Sequence, residues 1–200
     1  MTQSATGTYQ VQTSFAKPEH FERIQLLVRI GVWFVLGWVM NAVLWIVFLG
    51  GPLVSAVLVS RRGGDGFHET YGAAYTKLLA FWSDLQACLL LGTDQFPSWG
   101  TDGAAQYRCQ PSGSPTVGSA LLRIVLILPH ALLAWLLGIV VLAAVLVAAV
   151  SVLVNESVPD QIWGFLMGAV AWEARVLAYF FSIVEEYPPF SLEKALRPAA

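Results

Sequence analysis

Charged residues are scarce in this chain. They make up 12% of its 200 residues, 11 Lys and Arg against 13 Asp and Glu, where an ordinary soluble domain carries roughly 25%. With no basic excess there is little to neutralise a phosphate backbone, which argues against nucleic acid as a partner. Cysteine is scarcer still: Cys88 and Cys109 lack Cys-x-x-Cys spacing, so zinc is not expected, and a cytoplasmic linker would keep both as reduced thiols. Gly63-Gly64-Asp65-Gly66 lacks the lysine and hydroxyl residue of a P-loop. No His/Cys/Asp/Glu cluster, Ser/His/Asp set or carboxylate pair stands out. The expectation is therefore no metal, no cofactor, no catalytic residue and no enzyme.

Apolar residues are abundant instead, at 56%, with a mean hydropathy of +0.64 and eight Trp, a residue that favours membrane–water interfaces. From Ile24 to Ser60 the single charge is Arg29, and from Ile124 to Asn155 there is none. Both runs exceed the ~18 residues of a membrane span, and the first is too long for a signal-peptide core of about 7–15 residues. As a single helix at about 1.5 Å per residue, either would overreach a hydrocarbon core of about 30 Å. Each is thus a long tilted helix or a hairpin of two short legs. Gly50-Gly51-Pro52 reads as a break late in the first run. Basic residues flank that run on both sides (Lys17, Arg23 and Arg29, then Arg61, Arg62 and Lys77), and a hairpin would put both groups in the cytoplasm. The charge distribution favours hairpins.

The chain also repeats itself in outline. Each half carries a basic residue (Arg29, Arg123), a long apolar run, a short polar break (Arg61–Gly66, Asn155–Gln161), a second helix and an acidic–aromatic–proline ending. Those endings are Thr93-Asp94-Gln95-Phe96-Pro97-Ser98-Trp99 and Glu185-Glu186-Tyr187-Pro188-Pro189-Phe190. In the second helix of the first half, Tyr71, Tyr75, Leu78, Trp82, Leu85 and Leu89 share one face, as expected of a helix lying in the membrane interface or of one packed against other helices. The interfacial placement is preferred. In the second half, residues 162–184 are apolar enough to cross the bilayer. Gly164, Gly168, Ala171, Arg175, Ala178 and Ser182 form a stripe of mostly small residues there, a packing face for another helix.

The second half also carries a recognisable set of motifs: Arg123, Pro129-His130, Trp172-x-x-Arg175-Val176, Tyr179 and Tyr187-Pro188-Pro189-Phe190-Ser191-Leu192. Together they resemble a bacterial membrane family catalogued as domain of unknown function 4389, over residues 121–193, with residues 24–99 as a degenerate copy. The resemblance implies a bacterial inner-membrane protein and supplies no activity. The chain departs from the family at Asn155-Glu156-Ser157-Val158-Pro159, where a Thr-Gly-x-Tyr-Pro-like junction is usual, and at Ala171, where Arg is common. The first copy lacks the Pro-His pair.

The fold expected is therefore all-α: an integral membrane protein, multi-pass, built by tandem duplication of a unit made of an apolar transmembrane helix or short hairpin plus an amphipathic interfacial helix. Its segments are a polar N-terminal stretch (1–23), a first membrane repeat (24–99), a Gly/Pro/Ser linker (100–120), a second repeat (121–193) and a tail (194–200). Candidate interaction or anchoring residues are Gly164, Gly168, Trp172, Arg175, Tyr179, Glu185, Glu186, Tyr187, Pro188, Pro189 and Phe190. Arg175, a charge inside an apolar helix, is expected to reach lipid phosphate, the alternative being a bond to an acidic group such as Glu185 or Glu186. The ending Glu185–Leu192 is read as a helix-stopping anchor or a docking epitope. His130 and Asn41 are read as hydrogen-bonded helix residues. The partners expected are the lipid bilayer and other membrane-protein subunits. The leading role is an accessory or scaffold subunit; the alternative is a small transporter, channel or lipid-handling protein.

Overall fold

A computed structural model describes residues 10–99 and 103–192, with the side chains of 30, 33–38, 40, 41, 43–45 and 47–49 outside the described set; Asn41 is among these. The elements are β1 (Val11–Phe15), α1 (Arg23–Leu89), β2 (Ala105–Cys109), α2 (Val117–Leu126), α3 (Leu128–Asn155) and α4 (Asp160–Phe180).

Helix α1 is two arms folded back at Gly63, whose φ of 72° and ψ of 172° leave the helical region for one that only glycine enters without strain. The first arm, residues 23–62, is uninterrupted and reaches about 60 Å at 1.5 Å per residue. The preference for a hairpin within the apolar run is thereby corrected: the chain turns after the run, at the polar Arg61–Gly66 break. A continuous helix keeps the backbone groups of an apolar run paired within it, which a turn inside the run would not. Pro52 lies inside the arm without ending it. Neighbouring Gly51 admits the ring of Phe181, since a Cβ there would stand 2.2 Å from a ring carbon.

The second run behaves the same way. Thr116 opens α2 with a capping box shared with Ser119, and α3 follows after a single break at Ile127. Pro129 explains that break: it lacks an N–H, and it occupies the first turn of α3, where helices tolerate it. Among the described residues, Val117–Asn155 is the one helical stretch long and apolar enough to cross a membrane. Glu156 ends it in the left-handed conformation (φ 54°), and Pro159 leads into α4.

Helix α4 is the centre of the molecule. Its residues from Leu166 to Phe180 are buried apart from Glu173 and Leu177. The second arm of α1, α3 and the sheet pack around it. Along the second arm, Phe67, Leu79, Ala80 and Ala87 are buried and the aromatic stripe borders them, with Tyr71 and Tyr75 packed against the same cluster. Tyr71 and Tyr75 of the stripe thus pack inside the protein, whereas Leu78 is 37% exposed.

The chain is mostly helical, but the all-α expectation missed β1 and β2. They pair antiparallel with Val11 opposite Cys109 and Phe15 opposite Ala105, tying the N-terminal segment to the linker. Val11, Thr13, Ala105 and Tyr107 face inward, while Gln12, Gln106 and Arg108 face out. Ala105–Cys109 alternates apolar and polar residues, but Val11–Phe15, with three polar residues in its middle, does not. The outer face of the sheet is thus polar. The outer face of α3 is apolar, with Leu132, Trp135, Ile139, Leu142 and Leu146 each about 60% exposed or more.

Candidate functional site

The motifs scattered through the second half meet at one place, where α2 passes into α3. The break at Ile127 leaves the carbonyl of Leu126 available, and the Tyr187 hydroxyl donates to it at 3.1 Å. His130, one turn into the following helix, is fully buried. Its Nε2 lies 3.1 Å from the carbonyl oxygen of Pro188, which can only accept, so Nε2 carries a proton. Its Nδ1 lies 3.0 Å from the Tyr187 hydroxyl. The imidazole also stacks on Phe190 with ring centroids 4.1 Å apart, and on Trp172 at 5.7 Å.

Two arginines complete the clamp. Buried Arg123 donates through Nη1 to the carbonyl oxygen of Tyr179, which also accepts from the Ser182 N–H at 3.0 Å, and to that of Val184 at 2.7 Å, just past the end of α4. Its guanidinium carbon is 4.4 Å from the centroid of the Tyr179 ring, a cation–π contact, and Tyr179 meets Tyr187 edge-on at 5.3 Å. Arg175 is 2% exposed, and its Nη2 donates to the carbonyl oxygen of Ser191 at 2.7 Å. The expected contact with lipid phosphate is corrected accordingly: burial in the fold puts a backbone carbonyl where the headgroup was expected.

The small-residue stripe of α4 is shared between two neighbours. A Cβ built on Gly168 would lie 3.6 Å from the Cβ of Leu192, so the extended ending of the chain packs there, while Ala178 packs with Phe67, Leu79 and Ala80 of α1. Pro188 is buried and Pro189 partly so, while Phe190 keeps 58% of its surface. Glu185 and Glu186 are exposed, and the Glu185 N–H donates to the Ser112 hydroxyl at 3.1 Å. Gly164 is half-buried near the start of α4 and takes no part in the clamp.

Residues 118–191 match the family model of a domain of unknown function, DUF4389. The resemblance read in the second half is borne out over that segment, which holds α2, α3, α4 and the clamp as far as Ser191. No curated protein and no solved structure matches the chain.

Outside the DUF4389 segment, the first half holds its own ending in a related but looser way. Arg29, 4% exposed, donates to the carbonyl oxygen of Thr93 at 2.5 Å and to Asp94 Oδ1 at 2.9 Å. Asp94 Oδ2 in turn accepts from the backbone N–H of Glu22 at 2.8 Å. The aromatics that follow are not clamped: Phe96 and Trp99 are 63% and 69% exposed, and Trp99 rests beside Phe81. Phe96 occupies the position of Tyr187 when the endings are aligned, but no Pro-His pair stands opposite it.

A feature that motif reading missed lies between the two halves. The second arm of α1, α3 and α4 line a half-open cavity of about 510 Å³, its wall mostly apolar side chains. Glu173 is the carboxylate in its wall, and both its oxygens are taken, by Trp82 Nε1 at 3.1 Å and Gln86 Nε2 at 3.0 Å. The signal was faint: a lone Glu in the most apolar part of α4, and a Trp and Gln one turn apart on another helix. Among the described residues no group of three or more His, Cys, Asp or Glu could hold a metal ion. Both cysteines are free; burial pushes the Cys109 thiol, on the sheet, up to about 11.

Proposed function

We propose that the chain is a non-catalytic, multi-pass protein of a bacterial inner membrane, serving as an accessory or scaffold subunit of a larger membrane assembly. The observation that carries this reading is the outer face of α3. Its large apolar side chains are left uncovered by the chain itself, whereas the other side of α4 is closed by the chain's own sheet. A surface of that size belongs against lipid or another helix. The clamp supports a structural rather than a catalytic role, because its polar groups serve backbone carbonyls: His130, Arg123 and Arg175 all hold the ending in place. That use favours the anchor over the docking epitope for the Tyr-Pro-Pro-Phe ending.

The corresponding use of Arg29 and Arg123 supports two diverged copies of one unit, each a long apolar helix, a returning helix and an ending pinned by the arginine. In this reading the first copy has kept the pin and lost the aromatic clamp.

Purification in mild detergent followed by mass spectrometry tests the role. A stoichiometric membrane partner, lost when Leu136, Ile139 and Val140 on the outer face of α3 are replaced by Ala, is the expected result. The isolated protein moving solute or lipid in liposomes without a partner would overturn it. Of the alternatives, transport has little support, since His130 and Arg175 are both spent inside the clamp. Lipid handling has one specific observation in its favour, the cavity.

A further inference from the structure

We infer that the cavity between the two halves is a binding site for a single acyl chain. This inference rests on the membrane placement proposed above but not on the scaffold role. The space of about 510 Å³ falls within the roughly 300–1,000 Å³ range of small-molecule sites. Its wall is apolar, with Leu78 and Leu85 from the second arm of α1 and Val176 from α4.

The polar groups in the wall make no demand on a ligand. Both oxygens of Glu173 already accept hydrogen bonds, from Trp82 and Gln86. His130 is engaged by Pro188 and Tyr187. A ligand with polar groups along its length would leave them unpaired, whereas a hydrocarbon chain would not.

Shape points the same way. Ala131, Ala134 and Gly138 follow one another at helical spacing along α3, forming a shallow strip of small residues parallel to the helix axis. A Cβ built on Gly138 meets nothing within 4 Å, so the space continues to the backbone there. A straight trough of this kind suits a linear chain better than a compact ring system. The same helix turns its apolar outer face away from the protein, so the hydrocarbon phase of the bilayer borders the site.

The chain could belong to a phospholipid or to a free fatty acid, and two probes separate these sources. The full-length protein in lipid nanodiscs is irradiated with a C16 fatty acid carrying a diazirine, or with a phosphatidylethanolamine carrying the same group in one chain. Adducts are then mapped by mass spectrometry. Insertion into Ala134, Leu85 or Val176, saturable and competed by unlabelled palmitate or phosphatidylethanolamine, is expected from one probe or both, and the adduct mass names the source. Gly138→Phe should reduce these adducts at least tenfold while the protein stays folded by tryptophan fluorescence. Adducts confined to the outer face of α3, unsaturable and unchanged in Gly138→Phe, would overturn the inference. If Gly138→Phe unfolds the protein, Ala134→Leu repeats the test, and the wild-type adduct map decides it in any case.

Discussion

The imidazole of His130 lies flat on the ring of Phe190, with centroids 4.1 Å apart and planes 17° from parallel. One ring opens α3, the other closes the Tyr-Pro-Pro-Phe ending, and the whole of α4 lies between them in the chain. This contact closes the second half on itself. His130→Ala removes the stack, the bond to Pro188 and the contact with Tyr187 together. The expected loss is about 2–3 kcal/mol, measured by denaturant unfolding in detergent with tryptophan fluorescence, to which neighbouring Trp172 contributes. A loss under about 0.5 kcal/mol, the range of ordinary surface changes, would mean the ending is not held there.

Arg123 makes a sharper distinction possible between charge and shape. Its guanidinium serves two carbonyls and covers the Tyr179 ring at once, which an ammonium on a flexible stem does not reproduce. Arg123→Ala is expected to destabilise the protein by about 2–4 kcal/mol, by taking the donor from the Val184 carbonyl and removing the cation–π contact with Tyr179. Arg123→Lys should recover less than half of that. Full recovery by lysine in the same unfolding assay would reduce the residue to a point charge.

The two glycines that matter most have opposite expectations. Gly63 occupies backbone space closed to other residues (φ 72°, ψ 172°), so Gly63→Ala should cost roughly 1–3 kcal/mol. Gly138 is helical and a Cβ there touches nothing within 4 Å, so Gly138→Ala should gain roughly 0.5–1 kcal/mol from helix propensity. Thermal unfolding of both variants in one detergent checks the sign of each.

Cys109 offers a pH test of the sheet. Only the thiolate is alkylated, and burial raises this thiol from 9.0 to about 11. Below pH 9 the thiolate fraction is therefore about a hundred times lower than that of an unperturbed cysteine, a shift of two pH units. In a Cys88→Ala background, iodoacetamide labelling should be slow at pH 8 and rise tenfold per unit until about pH 11. Rapid labelling at pH 8 would show that β2 is not packed as described.

The long helices were legible as long runs almost without charge, and Arg61–Gly66 and Asn155–Gln161 mark where the chain returns to polar residues. The strands were not, since Val11–Phe15 and Ala105–Cys109 are short, lie inside polar segments, and pair across almost the whole first half. The clamp was half legible. Its residues were all named by the resemblance, but which ones touch depends on α4 folding back along α3, and spacing carries no trace of that. Arg175 shows the difficulty best: an arginine in an apolar helix suggests a headgroup, and only the path of Ser191 replaces that with a carbonyl. Short-range rules named the pieces; the long-range packing assigned their partners.

The clamp exists only if the ending is folded against Gly168 of α4. A disulfide measures this directly, because the built Cβ of Gly168 stands 3.6 Å from that of Leu192, within the roughly 3.5–4.5 Å that a disulfide requires. In a background of Cys88→Ala and Cys109→Ser, Gly168→Cys with Leu192→Cys should cross-link nearly completely under mild oxidation in native membranes, read by mass spectrometry of the linked peptides. Two free thiols after oxidation, with the protein still inserted and folded, would contradict the clamp and return the Tyr-Pro-Pro-Phe ending to the status of an exposed epitope.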